Sequence, residues 1–152
     1  MKQRECRMDR MHSSLALFVF LLMLSSCGGK SSEGLEVYPK AVGAADEASA
    51  IQALRTIATA QTQLRATSGA FGTFEALTRA GLLDARFAGV SPNLKGYKFT
   101  MSVTDSAYSV NADPQTSETQ PTTGSRHFYL DSSDSSIHVN TTQPASKSDP
   151  VL

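Results

Sequence analysis

The chain has 152 residues, and its 14 Lys and Arg residues balance 14 Asp and Glu residues. A formal charge of zero excludes a nucleic-acid binder that works through a broad basic surface. Only 18% of the residues are charged, there is no Trp, and 20 Ser and 14 Thr make the chain rich in hydroxyl groups. The length fits a single domain with a modest hydrophobic core.

The N-terminus has the layout of a secretory signal peptide. A basic segment over residues 1–10 precedes an apolar run, Leu15–Leu24, and the small residues Ser25 and Ser26 follow that run. This order of basic, apolar and small residues is typical of a signal peptide that is removed after export. Ten helical residues reach only about 15 Å, which is too short for a permanent transmembrane helix.

The tetrapeptide Leu24-Ser25-Ser26-Cys27 resembles the lipobox of bacterial lipoproteins. In that family a diacylglyceryl group is attached to the cysteine thiol, and signal peptidase II then cuts before the cysteine. The resemblance implies that residues 1–26 are removed and that Cys27 becomes a lipidated first residue. The alternative is an ordinary signal peptide followed by a chance cysteine. Gly28 replaces the aspartate that retains lipoproteins in the inner membrane, so the resemblance implies an outer-membrane anchor that faces the periplasm.

The mature chain divides into a tether, a folded domain and a tail. The tether, residues 27–45, is rich in Gly, Ser and Ala and is predicted to be flexible. Apolar residues at steps of three and four then predict an amphipathic helix over Asp46–Thr67, and Thr73 is a good N-cap for a short second helix. The segment Asp84–Leu94 is predicted to be irregular.

Period-two alternation begins at Tyr97 and predicts four antiparallel strands, separated by polar turns and by the loop Pro114–Gly124. One amphipathic helix and a one-sided sheet can bury each other. The sequence therefore predicts an α+β fold over residues 46–140, in which the helix packs on a four-stranded antiparallel sheet. Residues 141–152 are polar, contain two prolines and are predicted to be a disordered tail.

Several packing motifs occur in a familiar order along the chain. The order begins with the helical run Asp46–Gln61, Gly81-Leu82-Leu83 and Gly96-Tyr97-Lys98-Phe99. It ends with Asn111-Ala112-Asp113-Pro114 and Gly124–Asp131. This order resembles the head domain of bacterial type IV pilin-like proteins, including pseudopilins, over about residues 45–140. The resemblance implies a pilin-like, two-layer head domain.

The N-terminus departs from that family, because pilin-like proteins carry a prepilin leader and a long apolar helix. The lipobox and the tether take their place here, so assembly into a filament core is not expected. The combination predicts a non-enzymatic, lipid-anchored protein of the cell envelope. It would be held to the membrane through Cys27 and act as an accessory or structural part of a secretion or pilus-type assembly.

Two other functions stay open. The first alternative is a periplasmic ligand-binding lipoprotein that uses the polar loop Pro114–Gly124 and the edge of the sheet. The second is a hydrolase with dispersed residues, although no motif of a serine nucleophile occurs. No cofactor, catalytic residue or nucleic-acid partner is predicted.

Two pairs of side chains are candidate metal ligands. His127 and His138 are predicted to face away from the core on neighbouring strands, but they lack the spacing of a zinc motif, and we interpret them as surface residues. Asp131 and Asp134 lie in a serine-rich turn, and the related major pseudopilins bind calcium in a C-terminal loop. Because this turn lacks the glycine and the acidic repeat of a calcium loop, we interpret it as a β-turn.

Overall fold

The computed structural model of the chain describes residues 34–115 and 124–152. The predicted signal peptide, Cys27 and most of the polar loop Pro114–Gly124 lie outside the described residues. In chain order the elements are α1 (Gly34–Ser68), α2 (Phe74–Arg79), a 3-10 turn (Ala85–Phe87), β1 (Asn93–Leu94), β2 (Tyr97–Val103), β3 (Tyr108–Pro114), β4 (His127–Asp131) and β5 (Ile137–Asn140). The fold is α+β, as predicted.

Helix α1 is longer than predicted, since it begins at Gly34 rather than at Asp46. Its 35 residues correspond to about 52 Å of helix. The segment interpreted as part of the tether contains several alanines, the strongest helix formers, and its buried Gly43 continues the buried face of the helix. No helix within residues 34–115 and 124–152 is long and apolar enough to cross a membrane.

The end of α1 and the short helix α2 follow local sequence signals. Gly69 takes a positive φ of 80° and donates its backbone N–H to the carbonyl of Arg65 at 2.9 Å, which ends α1. Thr73 caps α2, because its hydroxyl accepts a hydrogen bond from the backbone N–H of Ala76. The prediction of a short second helix is confirmed.

The sheet is an antiparallel meander in the order β1-β2-β3-β4-β5, and it has five strands rather than the predicted four. The additional strand is β1, in the segment predicted to be irregular. It is too short to show a period-two pattern. A two-residue turn with positive φ at Lys95 (50°) and Gly96 (74°) reverses the chain, so that Leu94 pairs with Tyr97.

One hydrophobic cluster contains side chains from the helices, the 3-10 turn and the sheet. Leu54 and Ile57 of α1 are fully buried in it, and so are Phe99 and Phe128 from alternate positions of β2 and β4. We call the sheet face that bears these side chains the inner face. Removing this apolar surface from water is the main stabilising contribution to the fold.

The C-terminal segment, residues 141–152, is bound to the sheet, which corrects the prediction of a disordered tail. Its backbone pairs with β5: Val139 donates its N–H to the carbonyl of Pro150 at 2.9 Å, and Leu152 donates to Ile137 at 2.8 Å. Asn111 holds the segment from the other face of the sheet through a 2.7 Å hydrogen bond to the carbonyl of Ala145. Pairing of this kind leaves no periodic apolar pattern in the sequence.

Candidate functional site

The predicted lipidation site, Cys27, lies outside the described residues. Its lipidation, the cleavage before it and the membrane anchor therefore stay predictions. The described residues nearest to it in sequence are those at the start of α1, seven positions further on. The other candidate side chains lie in the folded domain.

The two histidines lie on the same sheet face but have different partners. The Nδ1 atom of His127 is 2.7 Å from a carboxylate oxygen of Asp113, and both side chains are half-buried. The interpretation of His138 as a surface residue is wrong, because the C-terminal segment covers it and leaves 6% of it exposed. Its Nδ1 atom is 2.7 Å from the carbonyl oxygen of Asp149.

The histidines are also not directly opposite each other, since His138 pairs with Tyr129 and His127 pairs with Asn140. Within residues 34–115 and 124–152, no three His, Cys, Asp or Glu side chains come together as a candidate metal set. The Nε2 atom of His138 is buried without a hydrogen-bond partner in the described part of the chain.

The carboxylates of the serine-rich turn bind groups of the turn itself. Asp131 accepts hydrogen bonds from the backbone N–H of Ser133 at 2.8 Å and from its hydroxyl at 2.6 Å. Asp134 accepts one from the backbone N–H of Ser136 at 2.9 Å. These contacts are typical of Asx turns, in which a carboxylate replaces a backbone acceptor. The geometry agrees with the interpretation as a turn.

Charge and hydrogen bonding determine the pKa of Asp131. Burial raises this pKa, but the hydrogen bonds from Ser133 and Tyr129 and the charge of Lys147 outweigh burial and lower it below its usual value. Lys147 belongs to the C-terminal segment, and its ammonium donates to the Ser133 hydroxyl at 2.6 Å. The carboxylate therefore helps to hold the C-terminal segment against the turn between β4 and β5.

A partly buried ion pair joins α1 to the residue before β4, and the sequence analysis did not find it. Glu47 is 8% exposed, and its carboxylate lies 2.7 Å from the Nε atom of Arg126. It also accepts hydrogen bonds from the backbone N–H groups of Ser125 (2.9 Å) and Arg126 (3.3 Å). Three donors on one carboxylate compensate for its loss of water. The missed signal was the place of Glu47 on the apolar face of the helix.

Gly124 allows the chain to approach this ion pair closely. A Cβ atom at this position would overlap the Glu47 side chain and the Tyr97 hydroxyl. That hydroxyl donates to the carbonyl of Arg126 at 3.0 Å, and burial, followed by the charge of Glu47, raises the pKa of Tyr97 well above its usual value. The polar loop thus returns to the domain at a fixed point beside α1.

An open pocket of about 350 Å³ lies where the last turns of α1 approach the start of β3 and the turn between β4 and β5. Phe71 and Tyr108 contact each other edge to face, with ring centroids 4.9 Å apart. The guanidinium carbon of Arg65 lies 4.7 Å from the centroid of the Phe71 ring. We call this site the Arg65 pocket. Its lining is Thr62, Arg65, Ala66, Phe71, Tyr108, Ser132 and Ser135.

A smaller pocket of about 150 Å³ lies beside the edge of the sheet next to β2, and Val90, Met101 and Val103 contribute to its lining. Val90 is a large apolar side chain that is 82% exposed. Beyond the short pairing with β1, the described residues leave this edge of β2 without a neighbouring strand.

Comparisons of the sequence with family models, with curated proteins and with solved structures gave no match.

Proposed function

We propose that the chain is a lipid-anchored, non-enzymatic protein of the bacterial cell envelope with a pilin-like head domain. It would be an accessory or structural component of a secretion or pilus-type assembly. The observation that carries the proposal is the order of the fold: a long helix is followed by an antiparallel meander, and both contribute to one hydrophobic cluster. This is the order that the resemblance to pilin-like heads implies.

A two-layer arrangement of helix and sheet is part of the proposal. Hydrogen bonds and an ion pair between α1 and other elements of the domain support it. The Gln61 amide of α1 donates to the carbonyl of Gly72 at 2.6 Å and contacts the sulfur of Met101 in β2 at 3.4 Å. The Glu47–Arg126 ion pair joins α1 to the start of β4. Buried Leu54 and Ile57 lie between these two polar contacts along the helix, in the same cluster as the sheet.

The early start of α1 limits how far the domain can extend from a lipid at Cys27. Seven residue steps separate Cys27 from Gly34, and a fully extended chain covers about 3.5 Å per step. The first helical residue would then lie within about 25 Å of the lipidated cysteine. The proposal is thus a head domain that is held close to the membrane surface.

The non-enzymatic part of the proposal is supported by how the polar side chains are used. Asp113 binds His127, Asp131 binds Ser133, and Glu47 binds Arg126. Each of these carboxylates has a partner within the fold, and Glu47 and Asp131 connect separate elements of the domain. These side chains thus have a structural role, which is what the proposal expects of them.

Labelling with radioactive palmitate tests the anchor. We expect the parent chain to incorporate the label and the Cys27→Ser variant to lose it, while a Cys6→Ser variant keeps it as the matched control. Mass spectrometry of the mature protein should find an acylated Cys27 at the N-terminus. An unmodified N-terminus at a later residue would contradict the anchor.

Photo-crosslinking in intact cells tests the assembly. A photoreactive residue at the exposed Gln52 of α1 should capture secretion or pilus components in the parent chain and lose them in the Cys27→Ser variant. The exposed Asp105, in the turn between β2 and β3, is the matched control position. Recovery of only unrelated envelope proteins, equally from both positions, would contradict the proposal.

A ligand-binding lipoprotein is the second candidate, and the Arg65 pocket favours it. Pockets of 300–1,000 Å³ with an apolar floor and a few polar groups are typical of small-molecule sites. Most of the loop Pro114–Gly124, which the sequence analysis assigned to this function, lies outside the described residues. The Arg65 pocket lies between α1, β3 and the turn between β4 and β5, and none of the described loop residues lines it.

A further inference from the structure

The Arg65 pocket contains a cation without a partner. In the described part of the chain, Arg65 is exposed and, like Arg55 and Arg79, has no carboxylate in ion-pair contact; among these three, Arg65 is the one that lines a pocket. Its guanidinium carbon lies over the ring of Phe71. A guanidinium that contacts an aromatic face keeps the N–H groups of its edge available, and five N–H donors favour planar oxyanions.

The floor of the pocket is aromatic. The Phe71 and Tyr108 rings meet edge to face and offer an apolar surface to the body of a ligand. Burial, together with the nearby charge of Asp131, raises the pKa of Tyr108 above its usual value, so the phenol stays neutral at physiological pH. A neutral hydroxyl does not repel a negatively charged ligand.

The hydroxyl groups of the lining differ in the bonds that they can still make. Thr62 donates to the carbonyl of Ala58 at 2.9 Å, so its proton is used within α1. The Ser132 oxygen accepts a hydrogen bond from the backbone N–H of Tyr108 at 3.3 Å, and its own proton is left to donate. Among the described residues, no acidic side chain contributes to the lining. Asp131 lies outside the lining, although its charge acts on Tyr108, so the guanidinium of Arg65 and the hydroxyl of Ser132 are the groups that favour an anion.

We propose that the Arg65 pocket binds a small organic anion, with its carboxylate on the guanidinium of Arg65 and its apolar body over Phe71 and Tyr108. The pocket volume equals roughly a dozen water molecules at about 30 Å³ each, enough for one aromatic ring with its acid group. This inference deepens the ligand-binding candidate and rests on it, but it does not require the pilin-like assembly.

Nuclear magnetic resonance on the ¹⁵N-labelled full chain in detergent micelles tests the proposal, with benzoate as the probe. We expect saturable shifts of the Phe71 and Ser132 amides. Benzyl alcohol, which has the ring without the charge, should bind at least tenfold more weakly. Inorganic phosphate, which has the charge without the ring, should also bind at least tenfold more weakly. Equal binding of phosphate and benzoate would overturn the role of the aromatic floor.

Variants of matched charge complete the test. The Arg65→Ala change should raise the benzoate dissociation constant at least tenfold. The Arg55→Ala change, which removes another exposed arginine of α1 outside the pocket, should leave it within twofold. Phe71→Leu keeps an apolar residue but removes the ring under Arg65, and it should weaken binding several-fold. Shifts that do not saturate, or that are equal in the two arginine variants, would overturn the proposal.

The outcome separates the two functions. Failure of benzoate binding, with palmitate labelling and crosslinking as expected, would remove the ligand site and keep the envelope component. Binding of benzoate together with a failure of crosslinking would favour the ligand-binding lipoprotein.

Discussion

Burial on the two faces of the sheet depends on different kinds of interaction. On the inner face, Phe99, Val110 and Phe128 are fully buried in the hydrophobic cluster. The opposite face, which we call the outer face, carries polar side chains such as Asn111 and His138. Part of it is covered by the C-terminal segment, through hydrogen bonds to backbone carbonyls.

The difference shows how far an apolar pattern predicts burial. Apolar side chains leave water wherever a surface is available, because the hydrophobic effect is not directional. A polar side chain is buried only where donors and acceptors meet in the right geometry. Burial on the inner face therefore follows from composition and period, whereas burial on the outer face depends on how a distant segment returns to the sheet.

The largest expected effect is in the core of the inner face. Phe99→Ala and Leu54→Ala should each lower the free energy of unfolding by about 2–5 kcal/mol, because each leaves a cavity among packed apolar groups. Urea unfolding measures this loss. Thr100→Ala, on the next residue of β2 but exposed on the outer face, is the matched control and should change stability by less than about 0.5 kcal/mol. Parent-like stability of both core variants would contradict the assigned core.

The next effect is at the rim of the inner face, where a polar contact crosses between α1 and β4. Gly124→Ala should lower the free energy of unfolding by about 1–3 kcal/mol, because the added methyl group overlaps Glu47 and the Tyr97 hydroxyl. Gly81→Ala is the comparison, since its added Cβ meets no atom and only the positive φ of 71° opposes it. If Gly124→Ala lowers the free energy of unfolding less than Gly81→Ala does, Gly124 does not lie as close to Glu47 and Tyr97 as described.

On the outer face, Asn111→Ala should cost about 1 kcal/mol by removing the hydrogen bond to the carbonyl of Ala145. Hydrogen exchange in the C-terminal segment is a more specific test of this contact than the free energy of unfolding. The backbone N–H of Leu152, which donates to Ile137, should exchange with deuterium faster in this variant. Ser102→Ala, exposed on the same face, should leave that exchange rate unchanged. Unchanged exchange in both variants would show that Asn111 does not hold the C-terminal segment.

The smallest effect is the pH dependence due to Asp131. Its folded pKa is lowered, so its carboxylate contributes stability above the pKa of the unfolded state, and that contribution is lost as pH falls through the folded pKa. We expect Asp131→Asn to cost less than about 1 kcal/mol at pH 7 and to flatten the loss of stability below about pH 4. Urea unfolding between pH 2 and 7 measures both, and an Asp105→Asn variant is the control. If the stability of Asp131→Asn falls as steeply with acid as that of the parent chain, groups other than Asp131 cause the pH dependence.

The sequence predicted well wherever a repeated pattern covered several turns or strands. Leu54 and Ile57 recur at helical spacing, and Tyr97 and Phe99 alternate with polar residues, so the α+β class and the inner face could be predicted. The helix start was not predicted, because Gly34, Pro39 and Gly43 are the poorest helix formers and favour a tether by composition. Local propensity is a weak signal, and the structure continues the helix through these residues.

The candidate sites could be predicted only in part. The resemblance of Leu24–Cys27 to a lipobox depends on local sequence alone, and its test is chemical rather than structural. The Arg65 pocket brings together Arg65, Phe71, Tyr108 and Ser132, which are up to 67 positions apart in sequence. No local pattern indicates that these side chains meet.

The sequence by itself determined the fold class, the periodic elements and the predicted export signal, because each depends on residues that are close together in the chain. The tertiary structure decided the fifth strand, the burial of His138, the Glu47–Arg126 ion pair and the Arg65 pocket. Each of these depends on contacts between segments that are distant in the sequence, and the geometry of such contacts is fixed only when the hydrophobic core forms.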